Sequence, residues 1–170
     1  AVMALGITLP LAFLLALLLY FPSVRGRNAV RTILFATYVI PTVAVALVWA
    51  NIYAPGYGPL DQMVAALGFE PIGWISDPDT ALFSLAVFHV WQMLGYYTVL
   101  LIAGLTQIPG DVYEAARVDG AGFWRHHFRI TLPLVRPIML VALLFGLVFA
   151  FTDMIVIFVL AYAAIALEHP

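Results

Sequence analysis

Four long apolar segments limit what this chain can fold into more than any other feature. They cover residues 1–22, 32–53, 81–105 and 137–167. A helix needs about 20 apolar residues to cross the hydrocarbon core of a bilayer, so each segment is long enough to span a membrane. The last segment is too long for one upright crossing, which predicts that it tilts or breaks. Runs such as Leu14–Leu19 do not alternate apolar and polar residues, which argues against barrel strands.

The composition agrees with a membrane protein. Of the 170 residues, 65% are hydrophobic and 9% are charged, and the mean hydropathy is +1.06, whereas soluble domains are about 45–50% apolar and about 25% charged. We therefore predict an all-α, polytopic membrane helix bundle and exclude a soluble enzyme, a disordered chain and a nucleic-acid-binding domain. The absence of Cys excludes disulfides and thiolate sites, and the absence of Lys excludes a Walker A loop.

The arginines predict the orientation of the spans. All seven lie in two loops, namely Arg25, Arg27 and Arg31 in the first and Arg117, Arg125, Arg129 and Arg136 in the second. The outer loop (residues 54–80) has no arginine but four acidic residues. By the positive-inside rule, loops 23–31 and 106–136 face the cytoplasm and the outer loop faces the other side.

The first apolar segment is a span rather than a signal peptide. It lacks a basic region at its start and a small-residue cleavage site followed by a polar sequence. The chain begins inside this apolar run without an initiator Met. We therefore expect it to be a piece of a longer protein, as one domain over residues 1–170.

The coupling loop (residues 106–136) is long for a linker between two spans. Pro109 and Gly110 end the preceding membrane helix, and Asp111 followed by Glu114 is a capping-box pattern. The loop is therefore predicted to hold one helix over 112–118 and, after a break at Gly120, a second over 121–128. The segment 130–133 then ends that second element and leads back to the membrane.

One face of the first short helix carries only small or short apolar residues. Val112, Ala115 and Ala116 share this face at spacings of three and four, and Glu114 and Arg117 stand beside it. Such a helix can dock closely against a partner backbone. The residues alone leave open an ordinary solvated surface helix.

The run Tyr113-Glu114-Ala115-Ala116-Arg117-Val118-Asp119-Gly120-Ala121, followed by Ile130-Thr131-Leu132-Pro133, closely resembles the EAA loop of ABC-importer permeases. Further segments resemble the carbohydrate branch, the maltose and glycerol-phosphate permeases: residues 103–109, 55–58 and 74–78. The resemblance covers residues 27–159. After Leu160 the sequence departs from the Thr-x-Gly-Gly-Pro turn that is usual in the family.

The resemblance implies a six-span type of permease in a bacterial or archaeal inner membrane. It implies three partners: a second permease subunit, cytoplasmic ABC ATPase subunits and an extracytoplasmic solute-binding protein. The cargo would be a sugar or related polyol. ATP and Mg would bind the partner ATPase, so this chain would hold no cofactor and would not be an enzyme. The implied ATPase-coupling residues are Glu114, Ala115, Ala116, Arg117, Asp119, Gly120, Leu132 and Pro133.

Several polar and aromatic residues in the spans are candidates for lining a sugar pathway: Asn51, His89, Trp91, Gln92, Tyr96 and Asp153. Aromatic faces and amide groups suit hydroxyl-rich ligands, but such residues more often form hydrogen bonds between helices, which is the interpretation we favour. An intramembrane carboxylate such as Asp153 lines a pathway or lies near the membrane surface. His126 and His127 do not predict a metal site, because adjacent helical residues face different directions.

Two other classes of protein fit a polytopic bundle. One is a secondary transporter or channel without an ATPase partner, and the other is a membrane scaffold that transports nothing. A secondary transporter is expected to show coupling charges or broken helices in its spans, and Asp153 is the one candidate. Neither class needs a small-sided docking helix with the EAA spacing.

Overall fold

The structure, a computed structural model, describes residues 2–20, 24–118, 127–152, 158–159 and 162. All regular secondary structure in these residues is helical, which confirms the all-α prediction. The helices are α1 (Val2–Tyr20), α2 (Arg27–Val39), α3 (Thr42–Ile52), α4 (Pro59–Ala66), α5 (Pro78–Leu105), α6 (Gly110–Val118) and α7 (Leu132–Thr152), and a π-helical turn (His127–Thr131) leads into α7.

Three stretches of the described chain are long and apolar enough to cross a membrane: α1, α5, and α7 with the turn before it. The 28-residue helix α5 is the longest of them. Its start is well defined, because the side chain of Asp77 accepts a 3.0 Å hydrogen bond from the backbone N–H of Asp79 and Pro78 occupies the first turn. Helix α5 runs through the middle of the bundle and packs against α1, α2 and α7.

The second apolar segment is not one continuous helix, contrary to our prediction for residues 32–53. Helices α2 and α3 meet at an angle of 96° across a short break at Ile40 and Pro41. Proline has no N–H to continue the helix and pushes the preceding residue out of the α region. Ile40 accordingly adopts φ −67° and ψ 136°, which is extended. The two helices together can make up one broken span.

Small residues allow the helices of the bundle to approach closely. A Cβ added to Gly95 of α5 would lie 1.8 Å from the backbone oxygen of Leu34 in α2. A Cβ on Gly104 would lie 2.5 Å from the Cδ1 atom of Ile138 in α7. Close contact through glycine is a common way for membrane helices to associate. The positions of α2 and α7 relative to α5 therefore depend on these two glycines.

Helix α7 begins at Leu132, five residues before residue 137, where the fourth span was predicted to start. Within the segment 130–133, the π-helical turn ends at Thr131 and α7 begins at Leu132. Pro133, the second residue of α7, has no N–H to donate to the π-helical turn that precedes it. The predicted Gly120 break, most of the second helix (121–128), and the end of the fourth span beyond Thr152 lie outside the described residues.

Candidate functional site

Helix α6 is the short helix predicted in the coupling loop. It begins at Gly110, two residues before the predicted start, so Asp111 lies in its first turn rather than at the cap position. A negative charge there still interacts favourably with the positive end of the helix dipole. Glu114 is exposed, while Val112 and Tyr113 are half-buried. The helix therefore exposes the carboxylate of Glu114, while Val112 and Tyr113 are partly covered by the rest of the protein.

The other predicted coupling residues lie in α6, at the start of α7, or outside the described residues. Ala115, Ala116 and Arg117 lie within α6, and Asp119 and Gly120 lie outside the described residues. At the start of α7, Leu132 is half-buried and Pro133 is exposed.

A side-chain hydrogen bond joins α6 to the entrance of α7. It links the phenol of Tyr113 with the hydroxyl of Thr131, which is buried in the π-helical turn. Burial raises the pKa of Tyr113 from its ordinary value, which keeps the phenol protonated. We had not singled out either residue for a role, although both lie within the motif runs. The one sequence signal for this contact is that each of the two motif runs contains a side chain with a hydroxyl group, Tyr113 in the first and Thr131 in the second.

Gln92 forms a bond between helices, as the favoured interpretation expected. It lies in α5 with 1% of its surface exposed. Its side-chain Nε2 donates a 3.1 Å hydrogen bond to Oγ1 of Thr42 in α3. Its Oε1 atom has no partner among the described residues. Gln92 is therefore inside the protein rather than on an open pathway wall.

The other amide and imidazole candidates are in different surroundings. Asn51 is exposed and donates a 2.9 Å hydrogen bond from Nδ2 to the carbonyl of Leu47 in its own helix. His89 is half-buried, and its Nε2 has no hydrogen-bond partner within the described ranges. Asp153 lies outside the described residues. Within the described residues, no hydrogen bond joins Asn51, His89 and Gln92 to one another.

The aromatic candidates belong to two separate groups of rings. Trp91 lies 5.4 Å from Trp49, centroid to centroid, and Trp49 lies 5.2 Å from Tyr53. Tyr53 continues this row to Trp74 of the outer loop, at 6.2 Å. Tyr96 instead stacks on Tyr38 of α2 at 4.7 Å. Only Trp91 of the predicted pathway residues joins the row that reaches the outer loop.

The outer loop is folded around one buried carboxylate, which the sequence analysis did not single out. Asp61 of α4 is 2% exposed. It accepts hydrogen bonds from the backbone N–H of Gly56 (2.6 Å), the N–H of Ile72 (3.2 Å) and the indole Nε1 of Trp74 (2.8 Å). Burial by itself raises the pKa of Asp61, but these three donors outweigh it and lower the pKa below its ordinary value.

No group of three His, Cys, Asp or Glu side chains that could hold a metal ion occurs in the part of the chain that the structure describes. The described residues instead have the features of a polytopic helical membrane protein: three helical stretches long and apolar enough to cross a membrane, the bent pair α2 and α3, and the short helix α6.

Comparison with known proteins gives the family. Residues 8–166 match the family described as binding-protein-dependent transport system inner membrane component. The chain belongs to this family and is therefore a multi-pass inner-membrane protein.

Curated relatives agree with this assignment. The trehalose/maltose transport system permease protein MalF of Thermococcus litoralis is 36% identical over 136 residues, which are 80% of this chain and 46% of that protein. The diacetylchitobiose uptake system permease protein NgcF of Streptomyces coelicolor is 37% identical over 139 residues, which are 76% of this chain and 39% of that protein. The chain thus spans less than half the length of these relatives.

Solved structures give the same fold. A bacterial alginate ABC transporter, crystallised with an alginate pentasaccharide-bound periplasmic protein, contains a chain that is 28% identical with a TM-score of 0.80. The match covers 95% of the present chain and 58% of that chain. The predicted resemblance to ABC-importer permeases is confirmed.

Proposed function

We propose that this chain forms part of the permease subunit of an ATP-binding-cassette importer for a sugar or related polyol. The observation that carries the proposal is the family match over residues 8–166. Two curated relatives support the substrate class, because they are named as permeases for trehalose/maltose and for diacetylchitobiose. A solute-binding protein on the outer side would deliver the cargo, and a second permease subunit would complete the pathway.

Energy for transport would come from a cytoplasmic ATPase that docks on α6. The exposed carboxylate of Glu114 can pair with a basic group of that partner. The small residues Ala115 and Ala116, which follow it in the helix, would let the partner backbone come close. ATP and Mg would bind the ATPase, and this chain would carry out no catalytic step.

Movement of α6 would reach the membrane through the Tyr113 and Thr131 side chains. Thr131 lies in the turn that enters α7 directly, so a displacement of α6 pulls on the first turn of that span. Of the predicted pathway residues, Trp91 best suits the apolar face of a sugar ring, because it ends the row of aromatic rings that leads from Trp74 of the outer loop. Trp91 is at the inner end of this row and is partly exposed.

A site-specific crosslink tests the ATPase partnership. The full-length permease, with any cysteine outside these 170 residues replaced by serine, carries Ala115→Cys as its single thiol and a short photo-crosslinker. After irradiation of native membranes, mass spectrometry identifies the adduct. We expect an ABC ATPase subunit. The matched control is Leu67→Cys, an exposed position in the outer loop, which should give no ATPase adduct. Efficient labelling at residue 115 that yields only lipid adducts would overturn the proposal.

A further inference from the structure

The break in the second span leaves an unusual joint inside the bundle. At Ile40 and Pro41 the chain turns through 96° between α2 and α3. Pro41 has no N–H to donate to the carbonyl of Thr37, so the helical ladder stops there. Only a short extended segment joins the two helices. Their relative angle must therefore be set by what each of them contacts.

Helix α2 is tightly fixed to α5. The position of Gly95 brings the backbone of α5 against the carbonyl of Leu34, where not even a methyl group would fit. Tyr38 also stacks on Tyr96 of α5 at 4.7 Å. Backbone contact and ring stacking together make α2 the fixed arm of the joint.

Helix α3 is tied to α5 at its C-terminal end, where the hydroxyl of Tyr53, the residue after the helix, donates a 2.8 Å hydrogen bond to the carbonyl of Ser84. It meets α5 through a small cluster of Val45, Ala46, Ala50 and Phe88, with Trp49 beside Phe88. At its first residue, the Thr42 hydroxyl accepts the 3.1 Å hydrogen bond from Gln92 Nε2. This is the one described side-chain hydrogen bond that joins the start of α3 to α5.

Gln92 also touches the fixed arm. Its backbone carbonyl accepts a long 3.4 Å hydrogen bond from Oγ1 of Thr37, whose shorter 2.8 Å bond goes to Leu34. The same residue therefore contacts α2 before the break and α3 after it. Both contacts are sheltered, because Gln92 is almost fully buried.

We propose that Gln92 is a positioning residue that fixes the start of α3 at the α2–α3 joint. The Thr42 contact sets the angle of α3 relative to the fixed pair of α2 and α5. The buried Oε1 atom of Gln92 has no partner among the described residues, and unsatisfied buried acceptors are rare. A rotation of the amide by about 180° would let the hydroxyl of Thr42 donate to Oε1 without moving α3, so the contact between Gln92 and Thr42 is kept in either amide orientation. Use of the joint during transport rests on the proposed function, whereas the positioning role of Gln92 itself does not.

Spin labels measure the joint directly. Cysteines at Asn28 in α2 and Val48 in α3, both exposed, are labelled in the full-length permease within its assembled complex. Double electron–electron resonance then gives the distance distribution in the resting state. Thr42→Val removes the hydroxyl at constant shape, and Thr42→Ser keeps it. We expect Thr42→Val to broaden the distribution at least about twofold, as for a locally released element, and Thr42→Ser to leave it unchanged.

Two further variants complete the test. Gln92→Leu should broaden the distribution like Thr42→Val, and the double variant should add nothing. The control is Thr98→Val, a buried threonine of α5 whose hydroxyl bonds only to Leu94 in its own helix. If the spin-label distance distribution of Thr42→Val is as narrow as that of the parent protein, Gln92 does not fix the start of α3 and the proposal is wrong. Because the resting-state distance needs no transport, this result is independent of whether the proposed function holds.

Discussion

The phenol of Tyr113 in α6 is hydrogen-bonded to the side chain of Thr131, which is buried where the chain enters α7. The two helices are therefore joined side by side, and not only through the chain between them. A force on α6 can reach α7 through this bond. That relationship leads to the first prediction.

We predict that Tyr113→Phe weakens the coupling between ATP hydrolysis and solute uptake. The substitution keeps the ring but leaves the buried hydroxyl of Thr131 without this partner, a loss of about 1 kcal/mol. Uptake per ATP hydrolysed, measured with the assembled transporter in proteoliposomes, should fall by about fivefold, which is that energy expressed as a ratio. Thr131→Val should produce the same change, and the pair together no more.

The control for this prediction is Tyr57→Phe, at an exposed tyrosine of the outer loop. It removes a phenol without touching α6. If the Tyr113→Phe variant takes up as much solute per ATP hydrolysed as the Tyr57→Phe variant, the hydrogen bond to Thr131 does not transmit movement from α6 to α7.

We predict that Glu114→Lys abolishes uptake and weakens association with the ATPase subunit. Glu114 is exposed on α6, so the substitution should leave the bundle folded. A lysine facing a basic group of the partner replaces attraction with repulsion. Co-purification of the ATPase with the tagged permease measures the association. Glu70→Lys, at an exposed acid of the outer loop, is the charge-matched control. Normal co-purification of the Glu114→Lys complex would contradict the docking role.

We predict that the outer loop depends on the ionised carboxylate of Asp61. Since three hydrogen bonds lower its pKa below the ordinary 3.8, the folded loop favours the charged form. That stabilisation is fully present above about pH 4 and is lost as the pH falls through the lowered pKa of the folded state. Asp61→Asn replaces an acceptor with a group that also donates, in a site lined by three donors. The variant loop should therefore be looser at neutral pH.

Hydrogen exchange of the Gly56 and Ile72 amides measures this effect. Exchange, corrected for its intrinsic pH dependence, should be slow in the parent at pH 7, should rise below pH 4, and should already be fast at pH 7 in Asp61→Asn. Asp79→Asn, at an exposed acid in the first turn of α5, should behave like the parent. Equal protection in the Asp61→Asn variant would show that the carboxylate does not hold the loop.

The sequence predicted the parts of this molecule that depend on local pattern. Apolar length predicted the spans, and the break at Pro109 and Gly110 with the capping pattern of Asp111 and Glu114 predicted α6 to within two residues. The break at Pro41 has a local signal that the apolar run concealed, because a proline limits the residue before it wherever it stands.

Other features depend on distant partners. The sequence predicted that Gln92 lies in a span, but only the packing of α2 and α3 decides that Thr37 and Thr42 meet it there. Likewise, an acid in a loop rich in Pro and Gly is ordinarily solvated. The donors that bury Asp61 lie up to 13 residues away, so sequence alone could not identify it.

We predict a graded loss of stability when glycines of the bundle are replaced by alanine. At Gly95 the new methyl group would meet three backbone atoms, the nearest 1.8 Å away, so α2 and α5 must separate. Overpacking of this kind costs about 1–3 kcal/mol. At Gly104 the nearest atom, at 2.5 Å, is the flexible end of Ile138, so the loss should be smaller. Gly6 of α1 has open space around it, and alanine there should maintain or raise stability because it favours helix.

The thermal midpoint of the purified full-length protein in detergent, followed by intrinsic tryptophan fluorescence, measures the series. The expected order of stability is Gly6→Ala at or above the parent, then Gly104→Ala, then Gly95→Ala. The Gly6→Ala variant controls for the added methyl group itself. If the thermal midpoint of Gly95→Ala equals that of Gly6→Ala, then α2 does not lie against α5 in the assembled protein. In that case α2 could not be the fixed arm of the Gln92 joint.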